Sequence, residues 1–208
     1  MISAHPDDEV VGMGATIKKL SLTNKIWLCV VSEGASAQYS DKKMIKVRRD
    51  ACKKSSKILG ISKIQFLDYP DMRLDSVSHL EINKELEKII RKLKPKIVYS
   101  PSSHDLNKDH QKVFESSLVV TRPLVSSVKS LLCYELPGPV REPFRPSVYE
   151  NVLKDFSYKI KAFKMYKSEV MKFPHPRSLI SIENLAIYRG VEAGLKRAEA
   201  FQLIRSIN

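Results

Sequence analysis

The 208-residue sequence predicts an α/β fold built on a mostly parallel sheet. Three observations carry this reading. Short apolar runs recur along the chain, amphipathic helical patterns lie between them, and their lengths suit right-handed βαβ units. Hydrophobic residues make up 43% of the chain, enough for a packed core and too many for a disordered polypeptide. The length fits one domain spanning residues 1–208, with no linker or repeat dividing it.

The first strand is the apolar stretch at residues 2–4. An average strand has about 5–6 residues, so this one is expected to be short. A helical pattern with Gly12 and Gly14 follows over residues 10–20. Further strand-like runs lie at 26–31, 64–67, 97–99 and 128–134. Between them, Met44, Val47, Ala51 and Ile58 mark a helix face, and Gly60 is its stop signal. Ile82, Leu86, Ile89, Ile90 and Leu93 recur at the spacing of a second helix face. After Tyr134 the prolines 137, 139, 143 and 146 punctuate a loop or edge-strand region. Two helices are expected to close the chain, near 156–166 and 182–204.

Lysine plus arginine (36) outnumber aspartate plus glutamate (23), a formal net charge of +13. The basic residues are spread over polar helix faces, as at Lys42, Lys43, Lys53, Lys54, Arg91 and Lys92. That distribution reads first as a solvated surface, and beyond that it favours an anionic substrate or membrane-surface contact over sequence-specific DNA binding. Cys29, Cys52 and Cys133 are odd in number and unclustered, so buried thiols are expected rather than a disulfide framework. No apolar run approaches the roughly 20 residues of a transmembrane span. Acidic residues at positions 7–9 exclude a secretory signal. A cytoplasmic protein is expected.

Chemistry concentrates in two loops. His5-Pro6-Asp7-Asp8-Glu9 follows the first strand and opens the first helix. His104-Asp105-Leu106-Asn107-Lys108-Asp109-His110 follows the run at 97–99. Both lie at carboxyl ends of strands, the edge where open α/β sheets place ligands. Together they offer two imidazoles and a carboxylate with a fourth position left for water, the donor set of a catalytic zinc site. Each loop alone has a plain structural alternative. Acidic residues suit a helix N-terminus, and the second loop reads equally as a polar capping turn.

The two motifs, in this order, resemble the PIG-L/LmbE-like family of zinc-dependent N-acetylglucosamine-type deacetylases. Gly12 and Gly14, Arg48 ahead of Ile58-Leu59-Gly60, Pro70-Asp71, Phe144 and Pro146 extend the likeness. So do Lys161, Tyr166-Lys167-Ser168-Glu169, Arg189-Gly190 and Ala198-Glu199-Ala200-Phe201. The resemblance implies a Rossmann-like three-layer sandwich. It also implies metal-dependent hydrolysis of the N-acetyl amide of a sugar or sugar conjugate. Carried over by position, His5, Asp8 and His110 ligate one Zn2+ per chain, and Asp7 is the general base. Arg48 and Asp71 are the substrate-binding candidates. A homo-oligomer is expected, because family members are often oligomeric.

Two positions depart from the family pattern. Asn107 stands where many members have a histidine. Its amide can still donate to an oxyanion, which makes it the second catalytic candidate. Ala51 stands where a glutamate is usual, with Asp50 beside it. Two other readings stay open: hydrolysis of a different acyl amide, and a non-catalytic metal-containing protein that binds through its basic surface. Iron or cobalt suits the same ligands as zinc.

Overall fold

The strand at Trp27–Ser32 shows how the sequence builds layers in the computed structural model, which describes residues 1–208. Side chains alternate across a strand. Leu28 and Val30 accordingly enter one core cluster, while Cys29 enters the cluster on the opposite face with Val31. In chain order the elements are β1 (Ile2–Ser3), α1 (Asp8–Leu20), β2 (Trp27–Ser32), α2 (Lys43–Leu59) and β3 (Lys63–Tyr69). They continue with α3 (His79–Leu93), β4 (Ile97–Pro101), α4 (Lys108–Val120), β5 (Ser130–Tyr134) and β6 (Val148–Asn151). The last are α5 (Phe156–Phe163), α6 (Leu179–Glu192) and β7 (Ala198–Ser206). One core joins α1, α2, α5 and α6 to the sheet through residues such as Ile17, Cys52, Phe163 and Ile182. The other joins α3 and α4 through Ile82, Leu86, Val113 and Val120. The result is the α/β/α sandwich the sequence predicts.

Strands β1, β2 and β3 form a parallel sheet in that order. A second sheet runs β4-β5-β7-β6, with β4 and β5 parallel and β7 antiparallel to both neighbours. β1 lies beside β4. From β1 the chain winds outward through β2 to β3, and from β4 it winds the other way to β5. The direction therefore reverses between β1 and β4, which creates a crevice outside their carboxyl ends.

β1 is only two residues long, as its short lead-in predicts. Its ladder with β2 is extended at both ends, where Cys29 donates to the Met1 carbonyl at 3.0 Å and Ser32 to that of Ala4 at 2.8 Å. Gly60 ends α2 in the left-handed conformation at φ 81°, a position that favours glycine. α4 lies between β4 and β5, where a helical pattern is expected, and it starts at an asparagine cap within the second polar loop.

The C-terminal expectation is corrected. The helix expected over 182–204 is α6 followed by β7. Gly190 accepts the Leu195 amide at 2.8 Å, and Gly194 follows α6 with φ 68°. β7 then takes the position between β5 and β6. Ala200, Phe201, Leu203 and Ile204 have helix-like spacing, and only the strand vacancy between β5 and β6 overrides it. Glu199 also reaches α1, where Met13 departs from helical geometry. Its carboxylate accepts the Ala15 and Thr16 amides at 3.1 and 2.6 Å and pairs with buried Lys159 at 2.6 Å. Two amides just past the kink thereby find a partner.

Candidate active site

The turn between β1 and α1 is held in an unusual shape. Asp7, the residue before the helix, has φ 119°, a conformation that costs a non-glycine residue on the order of 1–3 kcal/mol. Its carbonyl accepts the Val10 and Val11 amides at 3.1 and 2.9 Å, and its own amide donates to Glu9 Oε2 at 2.9 Å. Arg48 donates to the Pro6 carbonyl at 2.8 Å. Gly34, at φ 68°, lies so close that an added Cβ would stand 2.4 Å from Pro6 Cδ. These contacts fix the chain so that Asp7 and Asp8 point apart.

The second loop comes from the end of β4. Asn107 caps α4 by accepting the Asp109 amide at 2.8 Å, which puts Asp109 and His110 in the first helical turn. His110 Nε2 comes within 3.2 Å of His5 Nδ1 and 3.4 Å of Asp8 Oδ1. Asp8 Oδ2 is 2.8 Å from the His5 amide and 3.6 Å from His5 Nδ1. The ligand atoms of His5, Asp8 and His110 all lie within 4.8 Å of one another, and all three residues are buried.

The outward nitrogens of both histidines face carboxylates. His110 Nδ1 is 2.7 Å from Asp105 Oδ2, and His5 Nε2 is 3.0 Å from Asp109 Oδ2 and 3.3 Å from Asp71 Oδ1. A carboxylate there keeps a proton on the outer nitrogen, so the inner nitrogen of a neutral ring presents its lone pair. Two lone pairs and a carboxylate then converge on one point, and Asp8 Oδ1 has no hydrogen-bond partner. Such a cluster could hold a metal ion. Burial works against charge on His5, yet Asp109 and Asp8 outweigh it and push its pKa up to about 10. Burial likewise opposes charge on His110, and Asp8 with Asp105 raises it to about 9. Burial pulls Asp8 upward, but the two imidazoles hold it well below the usual carboxylate range. Two nitrogens and one oxygen, each histidine braced from behind, match the chemistry of a zinc-type centre.

A second group, His5 with Asp71 and Asp109, shares the other face of the His5 ring. Asp109 is already engaged by the Leu74 and Met72 amides at 2.9 and 2.8 Å. That group is a brace for His5.

Asp7 points away from the histidines into a ring of charges. Arg177 Nη1 is 3.1 Å from its Oδ2 and Arg48 Nη2 is 3.6 Å from its Oδ1. Glu169 lies across both guanidinium groups, 2.5 Å from Arg48 and 2.7 Å from Arg177. Burial drives the Asp7 pKa upward, against Arg177 and Arg48. A carboxylate with raised proton affinity beside a metal-type centre is suited to act as a base.

A cleft of about 360 Å³ opens onto this cluster, with Asp8, His110, Asn107, Met72, Pro137 and Arg177 on its wall. The structure thus brings His5, Asp8 and His110 together, with Asp7 adjoining and Asn107 on the cleft wall. Arg48 is 2% exposed and committed to Pro6, Asp7 and Glu169. Asp71 is buried against His5, its amide donating to Glu33. Neither lines the cleft. Asp50 does not stand in for a site acid: it pairs with Lys53 on the outer side of α2. Sequence reasoning missed Arg177 and the bracing role of Asp105. Asp105 had a signal, five residues before His110 on the same loop. Arg177 had none, since it is brought to Asp7 across the whole fold.

A family model described as PIG-L, GlcNAc-PI de-N-acetylase, matches residues 1–120. The uncharacterized deacetylase YaiS of Escherichia coli is 31% identical over 176 residues, 80% of this chain and 89% of that protein. Diacetylchitobiose deacetylase of Thermococcus kodakarensis is 34% identical over 105 residues, 48% of this chain and 39% of its own length. Among solved structures, the N,N'-diacetylchitobiose deacetylase from Pyrococcus horikoshii has a TM-score of 0.83 at 24% identity. That match covers 98% of this chain and 82% of the other.

Proposed function

This chain belongs to the PIG-L family and is an N-deacetylase, and we propose that it removes the acetyl group from an N-acetylglucosamine-type sugar or sugar conjugate with a metal ion bound by His5, Asp8 and His110. Residues 1–208 act as one catalytic domain in this reading. The observation that carries it is the convergence of two carboxylate-braced imidazoles and Asp8 at the switch point of the sheet. His5, Asp8 and His110 would hold a zinc ion there, and its Lewis acidity would lower the pKa of a water molecule and polarise a carbonyl oxygen.

The protein's own groups do the rest. Asp7, whose proton affinity burial raises against the pull of Arg177 and Arg48, takes the proton of the attacking water. It then returns that proton to the nitrogen of the departing amine. Asn107 Nδ2, which faces Met72 Sδ at 3.4 Å on the cleft wall, donates to the oxygen that gains charge during attack. Asp105 and Asp109 hold the two rings in orientation. Arg48 and Asp71 act by positioning Asp7 and His5. The substrate enters through the cleft beside Met72 and Pro137, and no helix is long and apolar enough to cross a membrane.

The test is amine release from N-acetylglucosamine derivatives by metal-loaded protein, with metal content measured alongside. The reading expects one ion per chain and turnover. A protein that binds no divalent metal, or one whose turnover survives Asp7→Ala and His110→Ala, would count against it.

A further inference from the structure

Arg177 is the one lysine or arginine on the cleft wall. Only its Nη1 is engaged, by Asp7 and Glu169; Nε and Nη2 make no hydrogen bond to the protein. The side chain is 27% exposed, against 2% for Arg48 on the other flank of Asp7. The two arginines thus differ in kind. Arg48 is sealed and structural, whereas Arg177 lines the chamber that holds His110 and Asp8 and has two guanidinium nitrogens without a protein partner. A guanidinium edge with two free donors is built to take an anion in a bidentate manner. The remaining cleft polar groups, Asp8, Asp105, His110 and Asn107, include no other fixed cation.

We infer that Arg177 is a specificity-determining residue that recognises an anionic substituent on the sugar carbon adjoining the acetamide. The argument rests on the deacetylase reading above. Arg177 touches the base that attends the scissile amide, so its free edge is next to the amide's own neighbourhood. On a 2-acetamido sugar the adjoining carbons are C1 and C3; C6 lies across the ring. An anion at C1 or C3 meets the guanidinium, and one at C6 does not. The general charge of +13 attracts all anionic sugars alike, so a preference between positional isomers isolates Arg177 from bulk electrostatics.

The test compares N-acetylglucosamine, its 1-phosphate, its 6-phosphate and N-acetylmuramic acid, which carries a carboxylate on the C3 substituent. Metal-loaded wild type and Arg177→Gln are assayed for KM and kcat. Binding of the corresponding amines is measured by calorimetry. A C1 or C3 anion is expected to lower KM about tenfold or more relative to the 6-phosphate, and Arg177→Gln to erase that advantage. The kcat falls for every sugar, because Arg177 also flanks Asp7. Equal KM values for the 1-phosphate, muramic acid and 6-phosphate, or an equal KM change on all four sugars in the variant, would overturn the inference. If no sugar is turned over, the deacetylase reading fails by itself. Calorimetry of glucosamine 1-phosphate and muramic acid against glucosamine 6-phosphate then decides Arg177 separately. Tighter binding of a C1 or C3 anion that is lost in Arg177→Gln supports it, and equal affinities overturn it.

Discussion

Asp7 and Asp8 are neighbours in sequence with opposite surroundings. Asp8 faces two imidazoles, and Asp7 faces two arginines. The positive φ of Asp7 is what splits them, so the strained residue is also the proposed base. Substituting each should therefore give distinct failures. Asp7→Asn is expected to bind metal normally and lose about 100-fold or more in kcat, read by metal analysis and amine release on one preparation. His110→Ala is expected to lose the metal itself. His5, Asp8 and His110 were legible in sequence because they belong to two polar loops that follow strands β1 and β4 and that together resemble one family motif. Arg48 was legible as a residue but not as a buried one. Its burial depends on Glu169, more than 100 positions away, and no local pattern records that pairing.

At the scale of elements, β7 is tied to both α1 and α5 through one buried carboxylate, Glu199, which is ion-paired with Lys159 of α5. Glu199 satisfies two α1 amides and Lys159, and both side chains are at most 5% exposed. Removing one partner strands a buried charge, which costs about 3–5 kcal/mol. Glu199→Ala should lose about that much in denaturant unfolding, and Glu199→Ala combined with Lys159→Met should recover part of it. An unchanged midpoint for the single variant would show that the pair does not anchor α1. The same strand marks where sequence reading failed. Apolar spacing over 200–204 suits a helix, and β7 is a strand because β5 and β6 offer paired edges to it. That information is tertiary. The βαβ portion was legible because each helix and strand there carries its own period and its own stop signal, as Gly60 does for α2.

The whole molecule shields its thiols, and the proposed metal site would couple its stability to metal binding. Burial pushes the Cys29 and Cys133 thiols from 9.0 up to about 12 and raises that of Cys52 as well. All three are free and buried. A thiol reagent at pH 8 should label none of them in the folded protein and all of them in denaturant. Folding holds these thiols neutral while the unfolded chain ionises them near pH 9, so their contribution to stability falls as pH rises above that value. Metal binding should act in the other direction. Zinc at 100 times its dissociation constant stabilises a folded protein by about 2.7 kcal/mol, visible as a rise in Tm that His110→Ala abolishes. The most direct test of the central claim is amine release from an N-acetylated glucosamine substrate by chelator-stripped protein titrated with zinc. The rate should climb from near zero and break at one ion per chain, and Asp7→Asn should stay flat throughout. A rate that is independent of zinc, or an Asp7→Asn protein that titrates like the wild type, would contradict it.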